Sequence, residues 1–327
     1  AWPSLDLAAG GFGFDSGHGV CQGLQVLFSD QLGDHLFLLS VGNTAQEFGD
    51  FLSRLNAGVT YWNLRNRLNT GASVFHFAGD FLDEAGFRYF ERRAGVTVNA
   101  SYPFSRFSRV TANSGFLYSN RNADSFRPGR TGWLAVNYLT FTRDNTLWIG
   151  TGPIDGGRYQ LTVGVNADLE RVQVENVQGL LDLRRYFRLG RRSAYAVRAQ
   201  AWASEGSLSQ RFVLGGSWSF RGYPRRSIVG TRSLLLNQEL RFPVMRGAIL
   251  GLPIGNIGFP EIQGALFLDV GQAWNDTLTP EDWLGSYGVS FRTGLGLLVL
   301  RLDFAKLTDF HGARPGVETE FFVGFNY

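Results

Sequence analysis

The chain is most telling in what it lacks. Among its 327 residues there is a single cysteine, Cys21, so no internal disulfide can staple the fold. Charged residues make up only 18%, and Lys306 is the one lysine among 31 basic residues. Net charge is +3 and the basic residues are scattered, which leaves no concentrated footprint for nucleic acid. No run of about eighteen apolar residues occurs, which excludes a membrane-spanning helix. The sequence opens on Ala1 with no signal peptide and no initiator methionine in it, which reads as a processed chain or as part of a longer one. The four histidines, His18, His35, His76 and His311, have no metal-ligand spacing, so neither a metal nor another cofactor is expected. A Gly-x-Ser-x-Gly elbow is absent, and no Ser/His/Asp arrangement supports catalysis. Gly10-Gly11-Phe12-Gly13 and Gly150-Thr151-Gly152 resemble phosphate loops superficially, but neither opens a helix. An enzyme is therefore not expected.

What is present points to strands. Glycine (42 residues) and aromatics (14%) are abundant, and mean hydropathy is −0.08. Polar and apolar residues alternate at period two almost everywhere, and no segment keeps a helical period. Tyr159, Leu161, Val163 and Val165 oppose Gln160, Thr162, Gly164 and Asn166. Leu234, Leu236, Leu240 and Phe242 oppose Leu235, Asn237, Glu239 and Arg241. Leu298, Leu300, Leu302 and Phe304 oppose Val299, Arg301 and Asp303. A soluble sandwich alternates in the same way. A membrane barrel is favoured by segments of about 10–14 residues, long enough to cross a bilayer at a tilt. It is favoured too by a face of Arg, Asp, Glu and Asn suited to a wet lumen. Trp62, Trp133, Trp148, Trp202 and Trp274 near strand ends fit interfacial girdles.

The pattern predicts sixteen strands, at 5–14, 19–30, 34–43, 50–62, 70–79, 86–101, 107–120, 131–142, 157–167, 173–187, 191–203, 231–243, 260–273, 285–294, 296–307 and 318–327. The expectation is an all-β transmembrane antiparallel barrel occupying 1–327 as a single domain. An even strand count places both termini on the periplasmic side. Odd-to-even connections then lie outside the cell, and the longest, 204–230, carries Phe220-Arg221-Gly222-Tyr223. Parity turns Glu239 away from Leu240 and Phe242, and Asp269 away from Leu268 and Val270, so both carboxylates face inward. An arginine fork can engage two carboxylates at once, so loop 204–230 is expected to fold into the lumen and be held there by Arg221. Gly222 would let that loop turn sharply or press on the wall.

These motifs, in this order and spacing, carry a resemblance. The chain resembles the barrel of the BamA/TamA superfamily, which includes outer-membrane insertases, two-partner secretion translocators and patatin-linked barrels. Phe220–Tyr223 matches that family's (Val/Ile/Phe)-Arg-Gly-(Phe/Tyr) motif in the sixth extracellular loop. Phe267-Leu268-Asp269-Val270-Gly271 matches its strand-13 motif, and Glu239 its strand-12 acid. The turn from Phe141-Thr142-Arg143-Asp144-Asn145 to Gly156-Gly157 resembles another common family feature. The terminal aromatic face of Phe321, Val323, Phe325 and Tyr327 resembles the targeting strand of outer-membrane barrels. The resemblance implies an outer-membrane location and work on polypeptides, either insertion through a parted seam or passage through the lumen. It also implies outer-membrane lipids and lipopolysaccharide as surroundings, with a periplasmic or surface protein as partner. No periplasmic POTRA module, which the insertases carry ahead of the barrel, lies within these residues. Two other readings stay open: a non-catalytic anchor or scaffold for a separate component, and a passive plugged pore.

Two further regions stand out. The first strand contains Gly10, Gly11 and Gly13, which weaken strand packing and suit either a weak closing seam or close packing. Val244–Phe259 is apolar where a short periplasmic turn is expected. Its Ile249, Leu250, Leu252 and Ile254 need cover, which predicts a turn resting on the membrane surface or on a periplasmic partner.

Overall fold

The computed structural model of the chain describes residues 4–15, 19–43, 51–82, 88–123, 128–149, 152–207, 209–252, 255–295 and 298–324. Sixteen long strands form the wall. They are β1 (Ser4–Asp15), β2 (Gly19–Ser29), β3 (His35–Asn43) and β4 (Leu55–Asn63). There follow β5 (Asn69–Leu82), β6 (Arg88–Pro103), β7 (Ser108–Arg121) and β8 (Arg130–Asp144). Next come β9 (Gly152–Asp168), β10 (Gln173–Arg188), β11 (Ala194–Glu205) and β12 (Arg232–Leu252). The last four are β13 (Gly255–Trp274), β14 (Leu284–Leu295), β15 (Leu298–Thr308) and β16 (Glu318–Gly324).

Each wall strand pairs antiparallel with its chain neighbour, giving fifteen consecutive ladders from β1–β2 to β15–β16. Such a meander satisfies the backbone within the sheet, as a bilayer requires. β1 and β16 are also neighbours, yet no ladder joins them among the described residues.

Burial runs opposite to that of a soluble protein. Asp269, Asp303, Ser286 and Ser290 are wholly buried, whereas Val74, Val96 and Val98 are more than half exposed. Within β9, Leu161, Val163 and Val165 are exposed while Thr162 between them is buried. The apolar face therefore looks outward to lipid and the polar face inward to the lumen. A soluble sandwich would bury the valines instead.

The observed strands differ most from the sequence pattern in four places. β4 begins at Leu55 instead of residue 50, and β9 at Gly152 instead of residue 157. Short strands too brief to show a period occur at Leu147–Ile149, which pairs with the start of β9, and at Phe212–Leu214 with Ile228–Gly230 inside the long loop. The largest difference is at Val244–Phe259, which is no turn. The β12–β13 ladder runs on through Ile249↔Gly258 and Leu250↔Ile257 to Leu252↔Gly255, while Ile254 lies outside the described residues. The β11 ladder ends at Arg241, so Pro243 sits where β12 has one neighbour, and a bulge between Pro243 and Met245 absorbs it. That is a position where proline is tolerated in a sheet. The result is a two-stranded hairpin extending beyond its lateral neighbours at the short-turn end.

Candidate functional site

The connection from β11 to β12, residues 206–231, folds against the inner wall and brings its motif to the motif strands. Glu239 on β12 and Asp269 on β13 are both buried on the lumen face. Arg221 reaches them from the loop. Its Nε donates to Asp269 Oδ2 at 2.8 Å and its Nη2 to Asp269 Oδ1 at 2.7 Å, a two-pronged contact. Its Nη1 donates to Glu239 Oε2 at 3.3 Å, and its backbone N–H to Asp269 Oδ2 at 3.3 Å. The guanidinium also lies 3.8 Å from the centre of the Phe267 ring, so Phe267 adds a cation–π face to the ion pair. A buried pair is stable only with such complete partnering.

The neighbours of Arg221 in the motif act on the wall directly. Phe220 and Tyr223 contact each other at 4.5 Å between ring centres and join an apolar cluster with Leu214, Leu235 and Leu307. The Tyr223 hydroxyl lies 3.2 Å from Gly285 O and 3.3 Å from Thr308 O, clipping the Gly285↔Thr308 end of the β14–β15 ladder. Tyr223→Phe removes that clip and is expected to lower stability by about 1 kcal/mol. A shift in the urea midpoint of the folded barrel, with unchanged strand content, would measure it.

The rest of the loop is tied to both sides of this point. Asn237 Nδ2 donates to Ser219 O at 2.8 Å, and Arg198 Nη1 to Trp218 O at 3.2 Å. Trp218 meets Phe322 of β16 edge-on at 4.5 Å, and Arg301 donates to Ser217 O. The loop therefore grips the inner face of strands β11 to β16, the terminal strand included.

Sequence reasoning missed the hub around Glu239. Arg292 of β14 and Arg241 of β12 both reach Glu239 Oε1, the latter at 3.3 Å. Arg241 Nη1 also donates to Pro153 O at 3.1 Å, so the first residues of β9 meet the same network. Parity carried a usable signal for Arg292, which shares a buried face with Ser286 and Ser290. Gly271 pairs with Leu235, behind the apolar cluster. Gly10, Gly11 and Gly13 sit in β1 opposite Leu24, Gly23 and Cys21 of β2. Phe321 is 55% exposed on the lipid face, and Val323 follows it opposite Leu300. Phe325 and Tyr327 lie outside the described residues. Among those residues no cluster of His, Cys, Asp and Glu could hold a metal ion.

This geometry defines a class: a transmembrane barrel with lipid outside, ion pairs inside, and its longest loop tied into its own lumen around Arg221. Residues 44–327 match the Omp85 superfamily domain, and the chain belongs to that superfamily of Gram-negative outer-membrane barrels. Among solved structures it is similar to BamA from Haemophilus ducreyi lacking POTRA domains 1–3, at 14% identity and a TM-score of 0.75, covering 98% of this chain and 70% of that one. It is also similar to CdiB from Acinetobacter baumannii, at 14% identity and a TM-score of 0.59, covering 99% of this chain and 60% of that one. CdiB from Escherichia coli matches at 15% identity and a TM-score of 0.57, over 97% of this chain and 62% of that one. At these identities the likeness shows the fold. The chain spans between 60% and 70% of the length of these structures. A comparison with curated protein sequences found no match.

Proposed function

We propose that this barrel works on polypeptides at the outer membrane through the seam between β1 and β16. The observation that carries the reading is the contrast between the seam and the rest of the wall. Fifteen strand pairs are joined by ladders, and the sixteenth contact has none among the described residues. Unpaired edges are templates on which an incoming strand can pair. The loop supports an asymmetric gate. Trp218 and Arg301 fasten it to the β15–β16 side, while β1 carries Gly10, Gly11 and Gly13, a residue type that weakens strand packing. A lumen filled by the loop also favours a lateral route over a straight channel. In this reading Arg221, Glu239 and Asp269 position the loop, and no bond is made or broken.

The test uses the purified full chain reconstituted in liposomes. Adding an unfolded test barrel protein is expected to give insertion severalfold faster than in empty liposomes of the same lipid. Equal rates would overturn the proposal. A co-purifying periplasmic or surface protein together with equal rates would instead support the anchor or scaffold role.

A further inference from the structure

A second site lies on the outer wall, away from the loop. Cross-strand register sets Ala57, His76, Ala94, Tyr118 and Trp133 in one row across β4 to β8. This row faces lipid, as does the row of Val59, Val74, Val96 and Phe116 next to it. Two alanines between large neighbours leave an open trough of about 570 Å³. One side is a fixed wall, because Tyr118 and Trp133 meet edge-on at 5.5 Å.

Three features identify the occupant. First, Tyr118 and Trp133 lie near the long-loop ends of β7 and β8, at the level of an interfacial aromatic girdle. Second, His76 is a polar side chain on a lipid face, where such groups are costly without a partner. Its Nδ1 lies 2.8 Å from Leu55 O and must donate to that carbonyl, which in the neutral ring makes Nε2 an acceptor. Third, one step nearer the long-loop end, in register with Ala78 and Asn120, stands Arg92. The Arg92 guanidinium lies 5.1 Å from the Phe90 ring centre. Arg54, 4.9 Å from the same ring, is ion-paired with Asp80 at 2.6 Å, so Arg92 supplies the positive charge just above the groove. An apolar trough below and the Arg92 cation above match a lipid with acyl chains and an anionic head.

We infer that this groove binds an acyl chain of a phosphorylated glycolipid of the outer leaflet. Phe116, Tyr118 and Trp133 would flank the chain, Arg92 would meet the phosphate, and His76 Nε2 would accept from a hydroxyl or amide N–H. The inference stands whether or not the barrel handles polypeptides; it needs only that the long loops face outside.

Native mass spectrometry of the full chain, released from detergent with added lipid A or phosphatidylethanolamine, tests it. Wild type is expected to retain one lipid A and to retain phosphatidylethanolamine far less. Ala94→Trp fills the trough and should abolish retention. Arg92→Gln should weaken it about tenfold, the loss of one charge-assisted contact. Heat-modifiable gel mobility reports folding of each variant, and Ala57→Leu replaces Ala94→Trp if the latter does not fold. Equal retention of both lipids by wild type, or undiminished lipid A in the folded groove-filling variant, would overturn the site.

Discussion

Arg221→Ala is expected to release the long loop from the wall and open the lumen to ions while leaving the barrel assembled. The substitution removes every side-chain hydrogen bond that Arg221 gives to Asp269 and Glu239. Glu239 keeps Arg241 and Arg292. Asp269, fully buried, loses its cation. Stranding one partner of a buried ion pair costs about 3–5 kcal/mol, and hydration of the lumen as the loop departs relieves it. The effect should therefore appear as higher single-channel conductance and faster proteolysis within 206–231, with strand content unchanged. Arg221→Lys should fall nearer to Ala than to wild type, because an ammonium cannot reproduce the two-pronged contact or lie flat on Phe267. Pairing Arg221→Met with Asp269→Leu should be milder than Arg221→Met alone, since no charge is then left buried. Wild-type conductance and loop protection in both Arg221→Ala and Arg221→Lys would refute this account.

The contrast between what a sequence reveals and what it hides is physical. A bilayer outside and ion pairs inside impose strict parity on every wall strand, so the face of Thr162 against Leu161, or of Asp303 against Leu302, is readable without coordinates. Parity also gives the facing of Glu239 and Asp269. It does not give register, and register decides which lumen residues meet. That is why Arg292, on the facing side of a strand two along, escaped notice as a partner of Glu239. Val244–Phe259 misled for a related reason: it reads as a turn, yet β12 runs on beyond its last β11 pairing with a ladder on one side only. The short strands Leu147–Ile149 and Phe212–Leu214 are set by tertiary contact, and three residues are too few for periodicity.

Gly222→Ala is expected to displace the loop as thoroughly as the loss of Arg221, without touching a charge. Gly222 has φ of +81°, a region costly for any residue with a Cβ. A Cβ built there would stand 2.6 Å from the Ala305 Cβ and 2.9 Å from Leu307 Cδ2. Leu307 can rotate, but the Ala305 Cβ is fixed to the β15 backbone and cannot yield. Strain and overpacking together should cost about 2–4 kcal/mol, more than Tyr223→Phe and comparable to Arg221→Ala. Conductance and loop proteolysis again provide the readout. Ala305→Gly in the same chain should recover the steric share and leave the φ share, so rescue is expected to be partial. Because both lesions detach one loop from one wall, Arg221→Ala combined with Gly222→Ala should cost clearly less than their sum. Full additivity would mean that the glycine and the arginine hold separate parts of the loop, and a wild-type phenotype for Gly222→Ala would mean that the loop does not press on β15 at all.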